Sequence, residues 1–189
     1  MAYTLLGWPV DSPTLDLDHE RFAYAGKFVM SRTGKAVVRE NGQVVAAAAF
    51  DADRTDEHCL RVRYVTVAEE RRGDGIGARL LRFVVRRARE RGYEHVAAGV
   101  NNPFAYVAFY KAGLAYTGDR TGLAELVCST AADRDAASYR AGLDAYRERD
   151  LSDRERAFID TRIAEPVPAV VSDPSESDRG TGDSNPPPP

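Results

Sequence analysis

The chain has 189 residues, 43% of them hydrophobic, and a net charge of −3; these values suit one domain plus a tail and exclude wholesale disorder. The acids concentrate at the end: residues 165–189 hold Glu165, Asp173, Glu176, Asp178 and Asp183 against one base, Arg179. The near-neutral body therefore lacks the basic field of a nucleic-acid binder.

No apolar run approaches the roughly 20 residues that span a bilayer, so no membrane partner is expected. Met1 to Val10 lacks the basic-then-apolar order of a signal peptide, and a cytoplasmic location follows as the expectation. Cys59 and Cys128 lie far apart in strand-like segments and read as buried free thiols. No Cys/His ligand spacing occurs, and no metal is expected.

In chain order, Tyr3 to Trp8 reads as a short opening strand. Asp18 is an N-cap candidate for a helix to about Arg32, with Phe22, Ala25, Val29 and Met30 on one face and Gly34 beyond its end. Lys35 to Glu40 and Gln43 to Phe50 flank Asn41-Gly42, a type I′ hairpin signal. Leu60 to Val67 alternates as a longer strand. Asp74 to Arg91 predicts the clearest helix, with Ile76, Leu80, Leu81, Val84, Val85 and Ala88 in one stripe and Gly92 as its stop. A strand (95–100), a helix (103–112) and two strands (114–117 and 123–129) follow. Two more helices, near 132–149 and 152–163, precede a tail with seven of the ten prolines, read as disordered from residue 165. The class is α+β, in three layers, around a mixed and mostly antiparallel sheet of about seven strands.

The informative stretch runs from Val65 to Ala78: a strand, then glycines at 73, 75 and 77, with a helix starting among them. Glycines let a backbone approach a ligand closely and turn its N–H groups one way. The helix start adds unpaired donors and the positive dipole end, worth roughly 0.3–2 kcal/mol toward an anion. No Lys-Ser/Thr follows, as a Walker A loop requires. A dinucleotide fingerprint begun at Gly75 fails at Leu80, and one begun at Gly73 reaches the allowed Ala78 but follows a meander strand, not a βαβ unit.

Arg72-Gly73-Asp74-Gly75-Ile76-Gly77 instead fits Arg/Gln-x-x-Gly-x-Gly/Ala, and so resembles the pyrophosphate loop of the GNAT superfamily of acyl-CoA N-acyltransferases. Asn102-Pro103-Phe104-Ala105 and Gly113-Leu114 stand at the family's matching spacing, with Leu for its usual Phe. The resemblance covers roughly 35–130 and, by strand order, extends to the N-terminus. It implies an N-acetyltransferase domain over 1–130, followed by a helical extension (131–164) and the tail (165–189).

The resemblance further implies acetyl-CoA as co-substrate and direct attack by a neutral primary amine in a ternary complex. The acceptor is left open between small molecules and protein or peptide amines. The cofactor contacts it implies are Val65, Val67, Arg72, Gly73, Asp74, Gly75, Ile76, Gly77, Ala78, Asn102 and Tyr110, with the Val67 backbone amide on the acetyl carbonyl. An alkylamine of pKa about 10.4 is neutral about once in 2,500 molecules at pH 7, a penalty near 4.6 kcal/mol that a base offsets.

The match breaks at the acid and the base. Where the family's protein N-terminal acetylating branch has a Glu, this chain has Ala97. Glu40, Glu69 and Glu125 are substitutes, each read first as a solvated acid, so the base stays unassigned. The family's acid Tyr falls at Phe109; Tyr110, one residue on and about 100° round the helix, is the candidate general acid, with Tyr106 as stand-in. Arg79, Arg82, Arg86, Arg87, Arg89 and Arg91 read as a solvated face, and His19, His58 and His95 show no partner spacing. A non-catalytic acyl-CoA-binding or sensor protein is the alternative. The C-terminal helices either cover the cleft or form a homodimer contact.

Overall fold

The computed structural model describes residues 1–30, 32–121 and 125–174. In chain order the elements are β1 (Ala2–Gly7), α1 (Ala25–Phe28), β2 (Gly34–Glu40), β3 (Gln43–Ala52), β4 (Cys59–Val67), α2 (Ile76–Glu90) and β5 (His95–Val100). They continue with α3 (Pro103–Ala112), β6 (Ala115–Thr121), β7 (Glu125–Ser129), α4 (Ala136–Arg147) and α5 (Asp153–Ala164). The strands form one sheet in the order β1-β2-β3-β4-β5-β7-β6. Every neighbour pair is antiparallel except β4–β5. This is the mixed seven-stranded sheet that the sequence leads one to expect.

The β2–β3 hairpin closes through Asn41 at φ 50° and Gly42 at φ 80°, the two positive angles a type I′ turn requires. Residues 123 and 124, at the start of the last expected strand, lie outside the described residues. The stripe on α2 is buried throughout, from Ile76 to Ala88. It packs with Ala46, Ala48, Leu60, Val62, Val96 and Ala98 of the central strands. The opposite sheet face carries a second core of Val37, Ala47 and Ala49 under Leu17, Phe22, Ala25 and Phe28.

The helix expected from Asp18 to Arg32 is not formed; only Ala25–Phe28 is helical. Asp18 caps a single turn, its carboxylate accepting the Glu20 N–H at 2.9 Å. Tyr24 at φ 62° then breaks the spiral. Phe22 and Ala25 are buried as expected, whereas Val29 and Met30 are exposed. The reason is tertiary. Lys35 is fully buried, and its ammonium donates to the carbonyls of Pro13 (2.6 Å), Met30 (2.6 Å) and Thr33 (3.1 Å). Those bonds draw the chain into a loop that a continuous helix could not follow.

Asp135 caps α4 by accepting the Ser138 N–H at 2.8 Å, and Ser152 with Glu155 forms a capping box on α5. These helices join the α2 side of the molecule. Tyr139 and Tyr146 of α4 sit fully buried with Tyr106 and Tyr110 of α3, their rings 4.8–5.9 Å apart. Residues 165–174, expected as the start of a disordered tail, are docked instead. Val171 N–H donates to Lys111 O at 2.8 Å, Arg134 donates to Pro168 O at 2.7 Å, and Arg82 pairs with Asp173 at 2.6 Å. The rest of that tail, 175–189, lies outside the described residues. Among the described residues no helix is long and apolar enough to cross a membrane.

Candidate active site

Parallel pairing of β4 with β5 runs from Cys59↔His95 to Val62↔Ala98 and stops there. At that point Phe50 pairs with Val62 and Ala49 with Tyr64, so Arg63 is an extra residue, a bulge in β4. A bulge bends its strand. β4 continues to Val67 along β3, and β5 continues to Val100 along β7, with a gap between them.

The gap exposes backbone. Ala68 N–H bonds Val45 O at 2.9 Å. Alternation along an antiparallel ladder then turns the N–H and C=O groups of Val67 and Val65 away from β3, toward the gap. On that side the Val67 carbonyl accepts from Arg72 Nε at 3.4 Å.

The glycine loop adjoins Val67. A 3₁₀ turn at Glu69–Arg71 leads to Gly73 at φ 96° and Gly75 at φ 72°, angles that L side chains rarely adopt. Gly75 is the N-cap of α2 and offers no capping side chain, so the first amides of the helix keep no partner of that kind. A Cβ at Gly73 would meet nothing within 4 Å; one at Gly77 would lie 3.3 Å from Val67 Cγ2. The first position is thus open above the loop. The second lets the first turn of α2 rest against the end of β4.

Arg71 pairs with Asp74 (3.0 Å) and with Glu40, so one guanidinium is shared between two carboxylates. Arg72 is exposed, whereas Ile76 and Ala78 are buried and can contribute only their backbone. Arg79 turns back to Asp74 O (2.9 Å) and Tyr3 Oη (3.2 Å). The structure therefore brings Val65, Val67 and the residues from Arg72 to Ala78 together around one end of the gap.

Asn102 and Tyr110 have other partners. Asn102 caps α3, its Oδ1 accepting the Ala105 N–H at 2.8 Å. Tyr110 is fully buried, accepts the Tyr116 N–H of β6 at 3.0 Å, and meets Ser138 Oγ at 3.2 Å. Strand β6 lies beyond β5 and β7, so at roughly 4.8 Å per strand the hydroxyl is held some three strands from β4. The Tyr110 hydroxyl, expected to donate a proton in the gap, here bonds β6 and α4.

The stand-in, Tyr106, is bonded to α4 as well. Tyr106 Oη donates to Tyr139 O at 3.1 Å, and burial pushes its phenol far above the usual range. The family position, Phe109, carries no hydroxyl. What the sequence reading missed is the Arg63 bulge, which no local pattern marks.

The closed end of β4–β5 has other chemistry. Asp56, Cys59 and His95 place ligating atoms within 4.8 Å of one another, and His95 pairs with Asp56 at 2.9 Å. His58 is exposed between Glu57 and Glu94. Both cysteines are free and buried. On α2, Arg86 and Arg87 pair with Glu90 and lie over the Phe83 ring. These contacts leave both arginines half-buried on that helix face.

Comparison with known proteins agrees with this architecture. An acetyltransferase from Bacillus subtilis, solved in complex with CoA, superposes with a TM-score of 0.53 at 12% identity, over 68% of this chain and 96% of that one. An N-acetyltransferase from Staphylococcus aureus Mu50 gives 0.45 at 22% identity, over 51% of this chain and 66% of its own length. A ribosomal-protein-alanine N-acetyltransferase from Brucella melitensis gives 0.41 at 27%, again over 51% and 66%. In the last two cases the chain spans just under two thirds of the relative's length. No curated protein sequence matches the chain. The family model described as "Acetyltransferase (GNAT) family" matches residues 3–114, from β1 through α3 and the glycine loop, and the chain therefore belongs to the GNAT acetyltransferase family.

Proposed function

We propose that the protein transfers the acetyl group of acetyl-CoA to a primary amine by direct attack within a ternary complex. The observation that carries this reading is the adjacency of two sets of open amides. Val65 and Val67 turn their backbone groups into the β4–β5 gap, and the uncapped start of α2 lies beside them.

On this reading the amides from Arg72 to Ala78, with the α2 dipole behind them, hold the pyrophosphate of CoA. The thioester lies in the gap, where the Val67 N–H donates to the acetyl oxygen and stabilises the oxyanion as the amine adds. One such donor is worth about 10²–10³ in rate. With Tyr110 and Tyr106 committed to other partners, the leaving thiolate departs without a phenol. A thiol of pKa about 8.5 leaves readily near neutral pH, so the loss is tolerable.

The test is acetyl transfer itself: purified protein, acetyl-CoA and a panel of primary amines, with acetylated product read by mass. Product that depends on both substrates supports the reading. Binding of acetyl-CoA with no product across the panel favours a non-catalytic acyl-CoA sensor, to which Ala97 and Phe109, at the family's Glu and Tyr positions, lend support.

A further inference from the structure

Beyond the point where β4 and β5 separate, the β5 side of the gap presents Gly99. Gly99 pairs with Val127 of β7. Glu125, two residues earlier on β7, is therefore a diagonal neighbour of Gly99 on the same sheet face. The structure places the Glu125 side chain in the space the glycine leaves. A Cβ at Gly99 would overlap Glu125 Oε2 and come within 3.1 Å of its Cδ. The carboxylate thus lies across the β5 backbone at the opening of the gap.

The face is the one opposite α2. Ala98, Val100 and Leu126 point into the α2 core, so Gly99, Val127 and Glu125 point the other way. Across the gap, β4 turns Tyr64 toward the second core on that side, and Thr66 alternates with the α2-facing Val65 and Val67. Of the three acids weighed from the sequence, Glu40 is bound to Arg71 and Glu69 lies in the 3₁₀ turn before the glycine loop, whereas Glu125, exposed like Glu69, is set over the β5 backbone at Gly99. Glu125 accepts from Thr121 Oγ1 at 3.4 Å, and among the described residues no ion pair neutralises it.

We propose that Glu125 is the catalytic proton acceptor of the acyl transfer. The proposal rests on the acetyltransferase reading above. The Glu125 carboxylate takes one proton from the acceptor ammonium, directly or through one water, which frees the nitrogen lone pair. That pair forms the C–N bond at the thioester carbonyl. As the adduct collapses, the C–S bond breaks with its electrons going to sulfur, and the nitrogen's next proton reaches the thiolate through water. Glu125 returns its proton to solvent. The products are the acetamide, CoA thiol and one proton. Gly99 admits the carboxylate to the gap, and any side chain there would displace it.

The experiment uses the full chain with acetyl-CoA and, as acceptors, phenethylamine, spermidine, lysine and alaninamide, plus an arm without amine in which water is the acceptor. CoA thiol release is the readout, and calorimetry gives the acetyl-CoA Kd separately. Glu125→Gln is expected to lower the rate about 100-fold while the Kd stays within about twofold. In Glu125→Ala, added formate restores part of the lost rate. Gly99→Ala slows release about tenfold with the Kd unchanged. A Glu125→Gln rate within about threefold of wild type in every arm overturns the assignment and leaves the acetyltransferase reading standing. Binding without release in any arm overturns it as well, because no transfer is left to catalyse. Absence of acetyl-CoA binding by the wild type removes the underlying reading instead.

Discussion

The hydroxyl of Tyr110 accepts the backbone N–H of Tyr116 at 3.0 Å and so ties α3 to the edge strand β6. Ser138 Oγ donates to Tyr116 O at 3.0 Å, which leaves the Tyr110 O–H to donate to Ser138 at 3.2 Å. Tyr110→Phe removes both bonds at a site with no solvent access. The expected result is a stability loss of about 1–3 kcal/mol in urea, with the rate per folded molecule unchanged. A tenfold slower enzyme of undiminished stability would return Tyr110 to the role of acid.

Gly142 of α4 faces Tyr106 across the same cluster. A Cβ there would overlap the Tyr106 hydroxyl and sit 2.8 Å from Cε2. Gly142→Ala, normally favourable inside a helix, is therefore expected to destabilise the fold by about 1–3 kcal/mol. A urea midpoint at or above that of the wild type contradicts this packing.

Much of this was readable in the sequence, and the failures have physical causes. The hairpin, α2, β5 and α3 are specified locally: Asn41-Gly42 demands positive φ, the α2 stripe has one period, and Asn102, Pro103 and Gly113 punctuate α3. The glycine loop was readable because its backbone angles restrict residue type. The expected helix at Asp18 failed where buried Lys35 ties Met30 O to Pro13 O, and the Pro13–Lys35 contact joins residues 22 apart, outside any local window. The Arg63 bulge and the Gly99–Glu125 diagonal depend on strand pairing and were equally hidden. The aim of Tyr110 was set by α4, outside the segment that carried the resemblance.

The two thiols should be inert in the native state. Burial pushes the Cys128 thiol up to about 12 and raises that of Cys59. At pH 8 Cys128 is then thiolate in about one molecule in ten thousand. Iodoacetamide is expected to label neither residue until urea unfolds the chain; rapid labelling of the native protein contradicts their burial.

Asp53 links stability to pH. The Thr55 N–H, the Thr55 hydroxyl and Arg61 hold its carboxyl well below the usual carboxylate range. A depressed folded pKa adds stability that is present above the unfolded value, about 3.9, and lost as pH falls toward the folded one. Asp53→Asn should therefore destabilise the protein at pH 7, and its gap from the wild type should narrow below about pH 4. An equal gap at pH 7 and at low pH would remove this charge from the account.

Gly75→Val tests the loop. At φ 72°, with a Cβ 3.3 Å from Arg79 Nη1, a branched side chain both strains the backbone and crowds the helix start. Acetyl-CoA affinity is expected to fall at least about tenfold in calorimetry, a loss of about 1.4 kcal/mol. Unchanged affinity would place the cofactor elsewhere.

The most direct measurement is a thermal-shift titration of the wild-type protein with acetyl-CoA, alongside free CoA and ATP. Ligand linkage predicts stabilisation that grows with concentration, about 2.7 kcal/mol at a hundred times the Kd, for acetyl-CoA and CoA but not for ATP. No shift at saturating acetyl-CoA would contradict the claim that this glycine loop and gap form an acyl-CoA site.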